Sequence, residues 1–210
     1  MGRVLCLVMG YVFGLFQTGY LYGKMNHIDI RNYGSGNSGT TNALRVLGKK
    51  AGLIVFAGDF LKTVFACLAA RIIFKTSPDT DLYVLYAGLG VVLGHNFPCY
   101  LHFKGGKGIA SMAGILVSMD WRVTLVCAAL FLGAVIITRY VSLGSILVVI
   151  SFFIQMLIYG SRGDYCVSEG SLIEFFAISF ILMAMAIWRH RANIKRLLSG
   201  TENKLWGGKK

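Results

Sequence analysis

Acidic residues are scarce: nine Asp and Glu stand against 21 Lys and Arg in 210 residues, and charged residues of both signs make up only 14% of the chain. With 56% of residues hydrophobic, that is too little polarity to clothe an ordinary soluble domain. The length is also too short for several domains, so a single membrane-embedded domain over residues 1–210 is expected. The few carboxylates are unclustered, which leaves no ligand set for a metal, and nothing implies a cofactor. Cys6, Cys67, Cys99, Cys127 and Cys166 are odd in number, scattered and without a CxxC pair, excluding a disulfide framework and a zinc site. No small-x-small cleavage site closes the first apolar stretch, which Tyr11, Gln17 and Tyr20 interrupt; it reads as a spanning helix and not as a cleaved leader. There is no repeat of fixed period and no low-complexity linker, and the ending Gly207-Gly-Lys-Lys210 reads as a frayed tail.

What is present is a series of apolar runs. A bilayer core about 30 Å thick needs roughly 20 helical residues to cross it. Seven runs qualify, at 4–22, 51–74, 82–97, 108–119, 123–138, 143–159 and 171–188. The third and fourth are short and flank residues 95–108, so that loop is expected to dip below the interface, where irregular backbone survives only against protein or a water-filled cavity. The fold expected is an all-α integral membrane protein of about seven spans, or of five or six if the short fourth run is re-entrant.

Basic residues set the orientation. The segments 24–50, 104–107, 139 and the tail from Arg189 hold fifteen Lys and Arg, whereas the alternate segments hold five: Arg3, Arg71, Lys75, Arg122 and Arg162. The positive-inside bias puts the richer set in the cytoplasm, the N-terminus outside and the C-terminus inside. Charge gathered between apolar runs argues for membrane topology and against nucleic acid, which needs a continuous basic face.

Three segments of the basic set carry chemistry. In residues 31–45, RNYGSGNSGTTNALR, Gly34, Gly36 and Gly39 allow backbone close to a ligand, while Ser35, Asn37, Thr41, Asn42 and Arg45 supply donors for an oxygen-rich one. The spacing matches a dinucleotide fingerprint formally, but an apolar helix precedes it where a strand is required. A flexible polar loop is the plainer alternative.

Residues 94–111, GHNFPCYLHFKGGKGIAS, place His95, Lys104, Gly105, Gly106, Lys107 and Gly108 before an apolar helix, where free N–H groups and the helix dipole favour an anion. This is no Walker A loop, since Leu101 stands at the first glycine and Gly108 at the magnesium-binding hydroxyl. Positive-inside lysines explain the charge equally well but not the clustered glycines.

The third segment, RHRANIKRLLSGTE at 189–202, continues the last run as a basic helix. Arg189, Arg191 and Lys195 are expected to serve topology, whereas His190 and Asn193 share a helix face at i, i+3. Inside the second run, Asp59 and Lys62 form an ionisable pair with a functional or a structural reading. Gly10 and Gly14 suit helix packing.

Together these segments resemble the signatures of the bacterial acyl-phosphate:glycerol-3-phosphate acyltransferases, the PlsY family, in order, spacing and intervening spans, including Asp59-Phe-Leu-Lys62 and Tyr140-Val-Ser-Leu143. The resemblance covers nearly the whole chain. It implies an enzyme of the bacterial inner membrane that takes acyl phosphate and glycerol 3-phosphate as partners, in contact with lipid, and yields 1-acylglycerol 3-phosphate and phosphate, the first step of phospholipid synthesis. Carried over by position, it implies catalytic roles for Ser35, Arg45, Lys104, His190 and Asn193. Substrate contacts are implied for Gly34, Gly36, Asn37, Thr41, Asn42, His95, Gly105, Gly106, Lys107, Gly108 and Ser142. Two residues depart from the family pattern: Thr40 replaces Ala, and Ala192 replaces Glu, whose carboxylate Glu202 is a candidate to supply.

An activated acyl phosphate asks for positioning and charge stabilisation more than for a covalent nucleophile. Consistent with that, the chain has neither a GxSxG elbow nor an H-x4-D motif. The hydroxyl proton is left to His190, to His95 or to a phosphate oxygen of the substrate. A small anion transporter is the competing class, since short helices, an intramembrane ion pair and basic loops suit it too. An alcohol phosphatidyltransferase would need aspartates grouped on a helix, which are missing.

Overall fold

The helix Lys49–Ile73 shows how this sequence folds. Its buried positions are Ala51, Gly52, Val55, Asp59, Lys62, Thr63, Ala66, Cys67 and Ala70, a helical stripe of mostly small or polar residues, while Leu53, Phe65, Leu68 and Ile72 face outward. Lipid is as apolar as leucine, so bulk goes outside and small residues let backbones approach.

The computed structural model describes residues 1–206. Its α-helices in chain order are α1 Gly2–Leu15, α2 Thr18–Met25, α3 Thr40–Leu47, α4 Lys49–Ile73, α5 Thr80–Asn96, α6 Ile109–Met119, α7 Trp121–Thr138, α8 Val141–Ser161, α9 Leu172–Arg189 and α10 Arg191–Leu198. Among the described residues there are no strands, and six helical segments are long and apolar enough to cross a membrane: Gly2–Met25, Lys49–Ile73, Thr80–Leu101, Trp121–Thr138, Val141–Ser161 and Glu169–Arg189. The protein is a multi-pass, all-helical membrane protein. The fourth apolar run is α6, whose 11 residues rise only about 16 Å, so the loop before it starts well inside the bundle.

Helices α1 and α5 make the closest crossing. A Cβ on Gly10 would lie 2.0 Å from the Ala87 carbonyl oxygen, one on Gly14 2.4 Å from that of Val91, and those on Gly90 and Gly94 2.2 and 2.3 Å from the carbonyls of Leu7 and Tyr11. Two small-xxx-small pairs interlock, as expected for Gly10 and Gly14.

The first span breaks between α1 and α2, at Phe16 and Gln17. Gln17 Nε2 donates to the carbonyls of Gly14, Gly94 and His95 at 3.1 to 3.2 Å, and Lys62 Nζ donates to that of Phe16 at 2.7 Å. Side chains inserted into the ladder replace the lost helical bonds.

Connections sort to two ends of the bundle. At one, Arg3 pairs with Glu174, Arg71 with Asp81, and Arg122 with Asp120 and Asp164. At the other, residues 26–47, 97–108, 139–142 and 189–206 meet around a cavity.

Candidate functional site

That cavity, about 150 Å³, is lined by Ser35, Asn37, Thr41, Asn42, Arg45, His95, Lys107, Gly108, Ser142, His190 and Asn193, all expected from sequence, and also by Asp59, Arg196 and Glu202. Its remaining walls include Phe56, Ile109, Phe131 and Val141.

The first segment is organised by Asn42, which is buried. Its Oδ1 accepts from Ser35 N and Oγ at 2.8 and 3.1 Å, while its Nδ2 donates to the carbonyls of Ile30, Tyr33 and Asn37. With both ends of the amide engaged, Asn42 shapes the loop that presents Ser35 and Asn37. Gly34, at φ +59°, cannot be replaced there, since its Cβ would meet Asn42 Oδ1 at 2.4 Å. The first turn of α3 then opens on the cavity with unused N–H groups, and Arg45 follows one turn later.

The second segment folds back on the end of α5. Gly105 N donates to Asn96 O and Gly106 N to His95 O, at 3.2 and 3.0 Å. A Cβ on Gly105 would lie 2.0 Å from His95 O, and one on Gly106 2.0 Å from His95 Nε2. These two glycines therefore serve backbone contact with α5 and are not part of the cavity lining. Arg189 Nη2 donates to both of their carbonyls, a clamping role that sequence reasoning had assigned to topology.

The fold of this loop separates its lysines. Lys107 reaches the cavity and donates to Asn193 Oδ1. Lys104 lines a second cleft with Arg31, Gly36, Asn37, Gly105 and Arg189, one that shares Asn37 with the three-segment cavity.

In the third segment, buried His190 joins α9 to α10 and its Nδ1 donates to Ala186 O at 2.8 Å, which leaves Nε2 unprotonated and available as an acceptor. Burial, and then the charge of Lys107, push its pKa down to about 4. Asn193 Nδ2 donates to Glu202 Oε1 at 2.7 Å; the same oxygen accepts from Ser142 Oγ at 3.0 Å, and Oε2 accepts from Arg196 Nε at 2.8 Å. Ala192 is exposed and outside the cavity lining, whereas Glu202 lies within that lining. Sequence reasoning offers Glu202 only as a substitute; its place four residues past the end of α10 gives no sign of the turn that brings it back.

Charge in the cavity is uneven. Glu202 is paired with Arg196, and Asp59 with Lys62. Among the described residues Arg45, in the last turn of α3, and Lys107 have no carboxylate partner within an ion-pair distance, and both line the cavity. Two cations without a carboxylate partner, on a cavity that the first turn of α3 also lines, suit a doubly charged phosphate. Burial pushes the Lys107 ammonium down to about 8, against the pull of Glu202 and with the push of Arg196, Arg189 and Arg45.

A helical membrane bundle with a phosphate-suited cavity at one end and an apolar wall beside it defines the class: a membrane-embedded protein with a site for an anionic ligand next to lipid. The glycerol-3-phosphate acyltransferase family profile matches residues 4–200, and the chain belongs to that family. A glycerol-3-phosphate acyltransferase of Thermoanaerobacter sp. (strain X514) is 41% identical over 206 residues, 98% of this chain and 96% of the relative. One of Clostridioides difficile (strain 630) is 42% identical over 207 residues, covering 96% and 95%. Two crystal structures of PlsY (YgiH), an integral membrane glycerol 3-phosphate acyltransferase, share the fold. The glycerol 3-phosphate form has a TM-score of 0.84 at 36% identity, covering 99% of this chain and 96% of that one. The lysophosphatidic acid form has 0.82 at 34%, covering 97% and 95%.

Proposed function

We propose that this protein, acting as one membrane-embedded domain, transfers an acyl group from acyl phosphate to glycerol 3-phosphate at the cavity between its three polar segments. The observation that carries the reading is the convergence of Arg45, Lys107, Ser35, His190 and Asn193 on one cavity with an apolar wall. Phosphate groups take the cationic side, and the acyl chain leaves along Phe56, Ile109, Phe131 and Val141 toward lipid. The relatives' names and the two ligand forms of PlsY support glycerol 3-phosphate as acceptor. A donor already activated as acyl phosphate fits a site without an acyl-accepting nucleophile and base pair.

In the reaction, the glycerol hydroxyl oxygen bonds to the acyl carbon, the bond from that carbon to the phosphate oxygen breaks, and the hydroxyl proton ends on the departing phosphate. His190 Nε2, neutral and aimed by its bond to Ala186, accepts a hydrogen bond from the hydroxyl and orients it; its low pKa suits orientation better than holding the proton. Asn193 fixes Lys107, and Arg45 with Lys107 bears the phosphate charge. Seven segments alternating between two faces, with the basic loops cytoplasmic in a bacterial inner membrane, complete the reading.

The test supplies purified protein with acyl phosphate and glycerol 3-phosphate, with acyl-CoA as the alternative donor. Lysophosphatidate and phosphate formed one for one from acyl phosphate is the expected result. Product from acyl-CoA alone, or none from folded protein, would overturn it.

A further inference from the structure

The intramembrane pair Asp59 and Lys62 is not a closed ion pair. Lys62 Nζ lies 2.8 Å from Asp59 Oδ1, 2.7 Å from the Phe16 carbonyl oxygen at the break in the first span, and 3.1 Å from His95 Nδ1. An ammonium has three protons and no lone pair, and its three nearest polar neighbours here are these, with the Gly14 carbonyl oxygen farther off at 3.5 Å. His95 Nδ1 must then be the unprotonated nitrogen, which leaves the imidazole proton on Nε2. The opposite tautomer would set Nδ1–H against an ammonium, or require Lys62 to give up its charge 2.8 Å from the Asp59 carboxylate. Thr18 Oγ1 also donates to Asp59 Oδ1, at 3.1 Å.

We propose that Lys62 is a positioning residue that locks His95 as an Nε2–H donor to the reacting acyl phosphate, its hydrogen bond going to the carbonyl oxygen as negative charge develops there. This rests on the acyltransferase reading above. The geometry supports it at three points. His95 lines the cavity together with Asp59. Its Nε2 edge lies against Gly106, one residue from Lys107, and has no protein acceptor among the described residues. His95 also sits within a span, with the phosphate-binding cations on the loops outside it, so a carbonyl between phosphate and acyl chain falls on its side. The two cavity histidines are thus set in opposite tautomers by their neighbours: His190 bonded at Nδ1 to a carbonyl and accepting at Nε2, His95 bonded at Nδ1 to an ammonium and donating at Nε2. One faces the attacking hydroxyl and the other the electrophile.

The test is nitrogen NMR of the full chain labelled with ¹⁵N-histidine, with the His95 signal assigned by its loss in His95→Gln, alongside turnover at saturating substrates. The expected spectrum shows His95 neutral near pH 7 with its proton on Nε2, and a loss of that single tautomer in Lys62→Met. His95→Ala is expected to lower kcat roughly tenfold to a hundredfold, and His95→Gln, whose amide N–H replaces Nε2–H, to recover most of it. A proton on Nδ1 in the unsubstituted chain, or near-normal turnover by His95→Ala, would overturn the proposal. The spectrum of the unsubstituted chain decides the tautomer even if Lys62→Met does not fold. Failure of the unsubstituted chain to use acyl phosphate would instead sink the acyltransferase reading.

Discussion

Lys107 is where pH acts on this site. With its ammonium pushed down to about 8, it carries full charge below that pH and loses it above, so kcat/KM for glycerol 3-phosphate, which reports the free enzyme, is expected to fall as pH rises past 8. Lys107→Arg keeps its charge to far higher pH and is expected to abolish that alkaline limb; a limb unchanged in Lys107→Arg would assign it elsewhere. His190, held down to about 4, stays neutral across this range and contributes no limb near the ordinary histidine value. Charge-assisted hydrogen bonds contribute about 1.5–3 kcal/mol each, so Arg45→Ala and Lys107→Ala are each expected to lower kcat/KM more than tenfold, and Lys104→Ala less than either. Equal losses from the two lysines would contradict the separation of the cavity from the second cleft. Residue types and segment order made most of this site legible in the sequence: Ser35, Arg45, Lys107, His190 and Asn193 all reach the cavity. What spacing does not carry is the direction of a side chain in an irregular loop. Lys104 and Lys107 look equivalent on paper until Gly105 and Gly106 bind the backbone to α5, and Asn42 looks like a ligand contact until its amide is found engaged with the loop.

At the scale of elements, the apolar runs read correctly as helices, because nothing else satisfies backbone in lipid. The break at Phe16 and Gln17 was not legible: the carbonyls it exposes are met by Lys62, 46 residues away, and by Gln17 bridging to α5. The short fourth run is the 11-residue helix α6, and the basic loop before it brings Lys107 to the cavity that Asp59 also lines. The seam between α1 and α5 gives a direct test. Gly10→Leu would drive a side chain into the Ala87 carbonyl, where even a Cβ has only 2.0 Å, whereas Gly133 has no neighbour within 4 Å. Overpacking of this kind costs about 1–3 kcal/mol or more, so Gly10→Leu is expected to lower the melting temperature and folded yield in detergent while Gly133→Leu leaves both near the parent's. Equal tolerance at the two positions would deny that the seam holds the bundle.

For the whole molecule, the distribution of charge and the sorting of loops to two ends argue for one orientation. Exposed Cys99 and Cys166 lie at opposite ends, after α5 and between α8 and α9. A membrane-impermeant maleimide is expected to label Cys166 in intact cells and Cys99 only after permeabilisation; the reverse pattern would invert the topology. On the proposed function the protein is a one-sided enzyme: soluble glycerol 3-phosphate would enter from the face that bears Arg45 and Lys107, and the acyl donor from the bilayer. The most direct measurement reconstitutes it in sealed vesicles containing acyl phosphate, sorted by orientation, and adds glycerol 3-phosphate only to the outside. Lysophosphatidate formed when the C-terminal face points outward, and not when it points inward, is the predicted result. Equal rates from both orientations, or product only from the opposite one, would contradict it.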